Sequence, residues 1–157
     1  MRMLEENFAR VYRKFRMQLY AKVLRSLEMR GENSLSPQEV IYMEIISTMG
    51  SPTVNEFARY AGISPPNAAY RVGQLVQKGY VEKYRDGKDR REYHLKKTEK
   101  YDRNFNDVDS YIKTVCDRIR ERFSKSELEQ FDHMLEIISS ELMTDRDTLR
   151  SLALMRR

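Results

Sequence analysis

The sequence predicts a mainly α-helical chain carrying one small β hairpin, and three observations predict it. Apolar residues recur every three or four positions through three long stretches. Ser/Thr-x-x-Glu and Ser-Pro signals mark where helices begin. Between two short runs of strand-like residues sits Asp86-Gly87, a turn dipeptide.

The elements follow in order. Leu4, Phe8, Val11, Phe15, Leu19, Val23 and Leu27 form one stripe, widened by Tyr12 and Tyr20. They predict a helix over about residues 3–30, with Gly31 past its end. Ser36-Pro37-Gln38-Glu39 is a capping box with proline at the first helical position. It opens a helix to about Met49, bearing Val40, Ile41, Ile45 and Ile46, and Gly50-Ser51-Pro52 ends it. Thr53-Val54-Asn55-Glu56 is a second box, opening a short helix that ends near Tyr60, with Gly62 at the turn. Ser64-Pro65 starts the next helix, which runs to about Lys78 and stops at Gly79.

That helix has two faces. Ala68, Val72 and Leu75 point inward by spacing, and Pro66, Asn67, Tyr70, Arg71 and Gln74 point outward. Gly73 inside it costs about 1 kcal/mol relative to alanine, which a close approach of another backbone would offset. Residues 80–84 and 92–95 are predicted as paired strands. Beyond Thr98, the seam Phe105, Val108, Ile112, Val115 and Ile119 is followed by a third box, Ser124 to Glu127. Leu128, Phe131, Leu135, Ile138 and Leu142 form a second seam, which Leu149 and Leu152 continue after a break near Thr144-Asp145. Seams spaced three and four suit packing against other helices.

The totals narrow the function. The 157 residues fit one domain, or one domain with helical extensions. No apolar run approaches the ~18 residues of a spanning helix. The charged N-terminus lacks a signal-peptide core, so a cytoplasmic location is expected. Residues 64–103 hold 11 Lys/Arg against 6 Asp/Glu, which equals the whole chain's net +5 in about a quarter of its length. A basic face of that kind suits a polyanion, although scattered solvated charge has the same composition. Catalysis and cofactors are not expected: His94 and His133 lie far apart, and no zinc spacing, phosphate loop or nucleophile elbow is present. The single Cys116, beside Val115, reads as a packed thiol.

Two short helices followed by a basic hairpin form a winged helix-turn-helix layout. The segment from Thr53 to Lys100 resembles the core of the MarR family of bacterial transcriptional regulators. Its strongest motif is Asp86-x-x-Asp89-Arg90-Arg91, followed by a strand and Thr98-Glu99-Lys100. Tyr101 stands where that family usually has glycine, and Lys97 where an apolar residue usually ends the wing strand.

The resemblance implies a winged lobe, residues 36–97, between dimerisation helices at 1–35 and 98–157. It implies a homodimer on pseudo-palindromic double-stranded DNA, acting as a repressor and released by a small aromatic or anionic effector. Tyr12, Phe15, Arg16 and Tyr42 are the candidate effector contacts, although aromatic residues at helical spacing also build cores. The apolar stripes agree with a dimer, because they exceed what one small lobe can cover.

In the recognition helix, Ser64 and Pro66 form the approach to DNA. Asn67 suits an adenine edge, or else a cap or phosphate. Tyr70 suits a thymine methyl or phosphate, or else lobe packing. Arg71 suits guanine or phosphate, or else a structural salt bridge, and Gln74 suits the DNA backbone. In the wing, the resemblance sends Arg91 into the minor groove with Asp89 orienting it, while Lys88 and Arg90 suit phosphates, as do Lys83 and Arg85. The rival class is a winged-helix module that binds another protein.

Overall fold

The computed structural model describes residues 2–29, 31, 33–85, 92–105 and 107–143. The chain divides into two compact units, residues 1–108 and 109–157.

The first unit opens with α1 (Arg2–Glu28). Its C-terminal part meets the lobe: Lys22 and Ser26 are buried, and Val23 packs against the core, as does Met29 just beyond the helix. The residues before it, from Met3 to Met17, are largely exposed. Next comes α2 (Pro37–Met49), capped at both ends. Ser36 Oγ accepts from the Glu39 N–H, and the Glu39 carboxylate accepts from the Ser36 N–H at 2.8 Å. The same carboxylate receives Lys78 Nζ at 2.7 Å. Burial pushes the Glu39 carboxyl up, but the hydrogen bonds from Lys78 and Ser36 outweigh it and hold it below its ordinary value.

The helix-turn-helix is α3 (Val54–Ala61) and α4 (Pro65–Gln77). Thr53 caps α3 with a complete box, and the Thr53 backbone N–H bonded to Glu56 holds that carboxyl below its usual range. Gly62 makes the turn with φ 69°. There the Ile63 N–H reaches back to Ala58 C=O at 3.0 Å, closing orphaned helix carbonyls without a Cβ in the left-handed region. The same device ends α4. Gly79 has φ 78°, and the Tyr80 N–H donates to Leu75 C=O at 3.0 Å. This turn drops Tyr80 into the core.

The wing strands are β1 (Val81–Tyr84) and β2 (His94–Lys97), antiparallel, with Val81 opposite Lys97 and Tyr84 opposite His94. The second strand therefore lies two residues later than the sequence pattern predicts. Tertiary pairing decides it: the Leu95 N–H donates to Pro52 C=O at 2.8 Å, and Thr53 bridges to His94. That attachment turns Leu95 fully into the core.

A second difference follows the wing. A short helix, α5 (Glu99–Phe105), precedes α6 (Asp107–Arg122). Phe105 does not begin an exposed seam. It is buried in the lobe core, stacked on Tyr101 at 5.3 Å and edge-on to Tyr80 at 6.2 Å. The rest of the core, including Val40, Met43, Phe57, Ala68, Val72 and Leu75, is closed.

The second unit contains most of α6, then α7 (Lys125–Ile137) and a π-helical turn, Ile138–Leu142. Ser124 caps α7 with its box complete, and hydrogen bonds from the Ser124 hydroxyl and backbone hold Glu127 below its ordinary value. No residue of α7 is buried. An open apolar cavity of about 360 Å³ lies among Ile119, Phe123, Leu128, Phe131 and Met134. Cys116 is half-buried and lines a neighbouring hollow with Leu128 and Leu135. Leu149 and Leu152 lie outside the described residues.

Candidate nucleic-acid interface

Sequence spacing sets the two faces of α4, and the structure shows the result. Ala68, Val72 and Leu75 are fully buried, whereas Pro66, Asn67 and Tyr70 are exposed on the other side. Ser64 Oγ accepts from the Asn67 N–H, so the helix start is satisfied by its own cap and the Asn67 side chain stays exposed. Pro65 at the first helical position has no N–H to offer.

One turn later the polar side chains are linked. Gln74 Nε2 donates to Tyr70 Oη at 3.1 Å, and Arg71 Nη1 meets Gln74 Oε1 at 3.5 Å. The Arg71 guanidinium lies over the Tyr70 ring at 5.7 Å. Among the described residues Arg71 makes no ion pair, and its Nε is buried without a hydrogen-bond partner. Gln74 thus acts as a bracket between the two residues expected to face a ligand. Gly73 meets no neighbouring backbone: a Cβ built there has nothing within 4 Å, so the expected close approach is absent.

The base of the wing follows α4 in the chain. Lys83, Arg85 and Lys96 are exposed on it. Arg85 Nη2 donates to Tyr93 Oη at 2.9 Å and its guanidinium covers that ring at 4.6 Å. Tyr84 packs on the His94 ring at 5.6 Å, and His94 Nδ1 lies 3.0 Å from Ser51 C=O. Asn55 Nδ2 donates to Glu92 Oε1 at 3.1 Å, tying α3 to the strand side of the wing. No spacing rule signals these links, because the Asn55–Glu92 partners stand 37 residues apart. The wing-tip residues Lys88, Asp89, Arg90 and Arg91 lie outside the described residues.

The effector candidates fall into different environments. Tyr42 is a core residue, edge-on to Phe57 at 5.5 Å. Tyr12 is exposed on α1, Phe15 is half-buried, and Arg16 lies over the Tyr12 and Tyr20 rings at 5.4 and 5.8 Å. Among the described residues, no group of three or more His, Cys, Asp or Glu is placed to hold a metal ion. No helix there is long and apolar enough to cross a membrane.

A capped helix-turn-helix, a hairpin attached through Pro52–Thr53, and flanking long helices define a winged helix-turn-helix protein. The model of the MarR family matches residues 33–92, the span from the first lobe helix into the wing. Over those residues the chain is similar to the MarR family.

Solved structures share the fold. A MepR Q18P mutant from a multidrug-resistant S. aureus clinical isolate aligns with TM-score 0.56 at 15% identity, covering 89% of this chain and 97% of that one. RV1404 from Mycobacterium tuberculosis aligns with TM-score 0.53 at 15% identity, covering 90% and 93%. Streptococcus pneumoniae FabT, in complex with DNA, aligns with TM-score 0.51 at 20% identity, covering 90% and 96%. No curated protein matches the sequence significantly.

Proposed function

We propose that this protein is a homodimeric transcriptional repressor of the cytoplasm that reads a pseudo-palindromic DNA site and is released by a small aromatic or anionic effector. The observation that carries the DNA reading is the two-faced α4. Its inner face is fully buried, while Asn67 and Tyr70 are exposed on the outer face, and the wing strands carry the exposed Lys83, Arg85 and Lys96. An asparagine on an exposed helix start has the donor and acceptor that an adenine edge requires. FabT, which shares the fold, was solved with DNA. The exposed apolar residues of α1, α6 and α7 support self-association through those helices.

In this reading Ser64, Pro66, Asn67, Tyr70, Arg71 and Gln74 face the major groove. Lys88 and Arg90 meet phosphates, and Arg91, oriented by Asp89, enters the minor groove. The test is fluorescence anisotropy with duplexes selected from a random pool, at one fixed salt concentration. Asn67→Ala should cost about 1–3 kcal/mol at one base position and relax preference there, whereas Lys88→Ala should weaken all sequences alike. Absence of any sequence-selective binding by the wild type would discard the DNA reading in favour of a protein-binding module.

A further inference from the structure

Lys22 is buried, and a buried ammonium needs a partner. Its Nζ meets Glu44 Oε1 at 2.7 Å. The Tyr101 hydroxyl donates to the same carboxylate oxygen, and Lys22 lies 5.4 Å from the centre of the Tyr101 ring. One carboxylate oxygen thus joins three elements: α1 through Lys22, α2 of the lobe through Glu44, and α5 through Tyr101. Two of these elements, α1 and α5, are where the chain enters the lobe and leaves it.

We infer that the Lys22–Glu44–Tyr101 node positions α1 against the winged lobe and thereby sets the half-site spacing that the dimer accepts. The inference rests on the proposed homodimer. The geometry makes α1 a lever. Its contacts with the lobe run from Lys22 through Val23 and Ser26 to Met29 just past its C-terminal end, so the node is the outermost of them and has the longest moment arm against a tilt. From Lys22 to Leu4 the helix runs about 27 Å at ~1.5 Å per residue. A tilt of about 7° at the node moves the far end by about 3.4 Å, which is one base-pair step along a DNA strand. Apolar contacts at Val23 and Met29 are non-directional and resist such a tilt poorly. Hydrogen bonds converging on one oxygen are directional and resist it.

The variants are Tyr101→Phe, which keeps the stacked ring and removes one donor, and Glu44→Gln, which keeps the shape and removes the charge. The probe is the duplex selected for the wild type, together with versions carrying one base pair more or fewer between half-sites. Wild type should lose about tenfold or more on the altered spacings, and Tyr101→Phe only about threefold, with affinity on the parent duplex nearly kept. Glu44→Gln should relax spacing at least as far and also lower the melting temperature, because it leaves the buried Lys22 ammonium without a charged partner. The double variant should be no more relaxed than Glu44→Gln alone, because the three groups act as one unit. Parallel loss on every spacing with a lowered melting temperature would mark a merely structural node and overturn the inference. So would full retention of spacing selectivity in Tyr101→Phe. A wild type that binds no two-site duplex overturns the proposed function and the inference with it, a result distinct from either.

Discussion

Leu95 and Leu135 are both leucines followed by a charged residue, and they end in opposite surroundings. Leu95 in β2 is fully buried, whereas Leu135 in α7 is 44% exposed. The contrast extends to their regions. The lobe closes its own core around Phe57, Val72, Leu75 and Phe105, while Ile112, Phe131, Met134 and Leu135 of the second unit stay open. A seam spaced three and four states that something will cover it, not what. In the lobe the cover is the same chain, brought back by the two glycine turns and the wing. In the second unit the proposed cover is a second copy.

The sharpest break of this comparison sets one substitution in each region. Leu95→Ala should cost about 2–5 kcal/mol of lobe stability, with a urea midpoint independent of protein concentration. Leu135→Asp should leave the lobe's stability unchanged and weaken self-association by several kcal/mol in sedimentation equilibrium, since a lone carboxylate is expensive in an apolar seam. A monomeric wild type at micromolar concentration would remove the second half of the comparison.

A smaller effect concerns the closed region alone. Glu39 joins the α2 cap to Lys78 at the end of α4, and its folded pKa is lowered from 4.5. A depressed carboxyl contributes stability that is fully present above the unfolded value. That stability is lost as pH falls through the lower folded value. Glu39→Gln keeps the cap geometry and removes the charge. It should cost about 1–2 kcal/mol at neutral pH. In urea titrations the gap to wild type should then narrow as pH falls through the ordinary carboxylate range and below it. A gap independent of pH would show that packing, and not the charge on Glu39, carries the contribution.

The smallest expected effect has the opposite sign. Nothing lies within 4 Å of a Cβ added at Gly73. Gly73→Ala should therefore raise stability by about 1 kcal/mol, read as a higher melting temperature. A loss in the assembled protein alone, with a gain in dilute monomer, would show that Gly73 meets a second chain.

Much of this was legible before any coordinates. The boxes at Ser36, Thr53 and Ser124 and the glycine stops are local signals, because a cap is satisfied within four residues. The inward triad Ala68, Val72 and Leu75 follows from helix period alone, and so does the outward Asn67 and Tyr70. The resemblance to the MarR family lies in the helix-turn-helix and wing sequence together.

Only tertiary structure decided the rest, since each remaining feature joins residues distant in sequence. Register of β2 depended on Pro52 and Thr53, not on alternation within the strand. The stacking of Tyr101 and Phe105 against Tyr80 drew α5 into the lobe, although by spacing Phe105 fits the seam that runs on to Ile119. Tyr42 went to the core beside Phe57, while Tyr12 and Arg16 stayed on the surface. The node at Glu44 needs partners from positions 22 and 101. Periodicity determines which side of an element is apolar, but the partner of each polar group depends on where the chain returns in space.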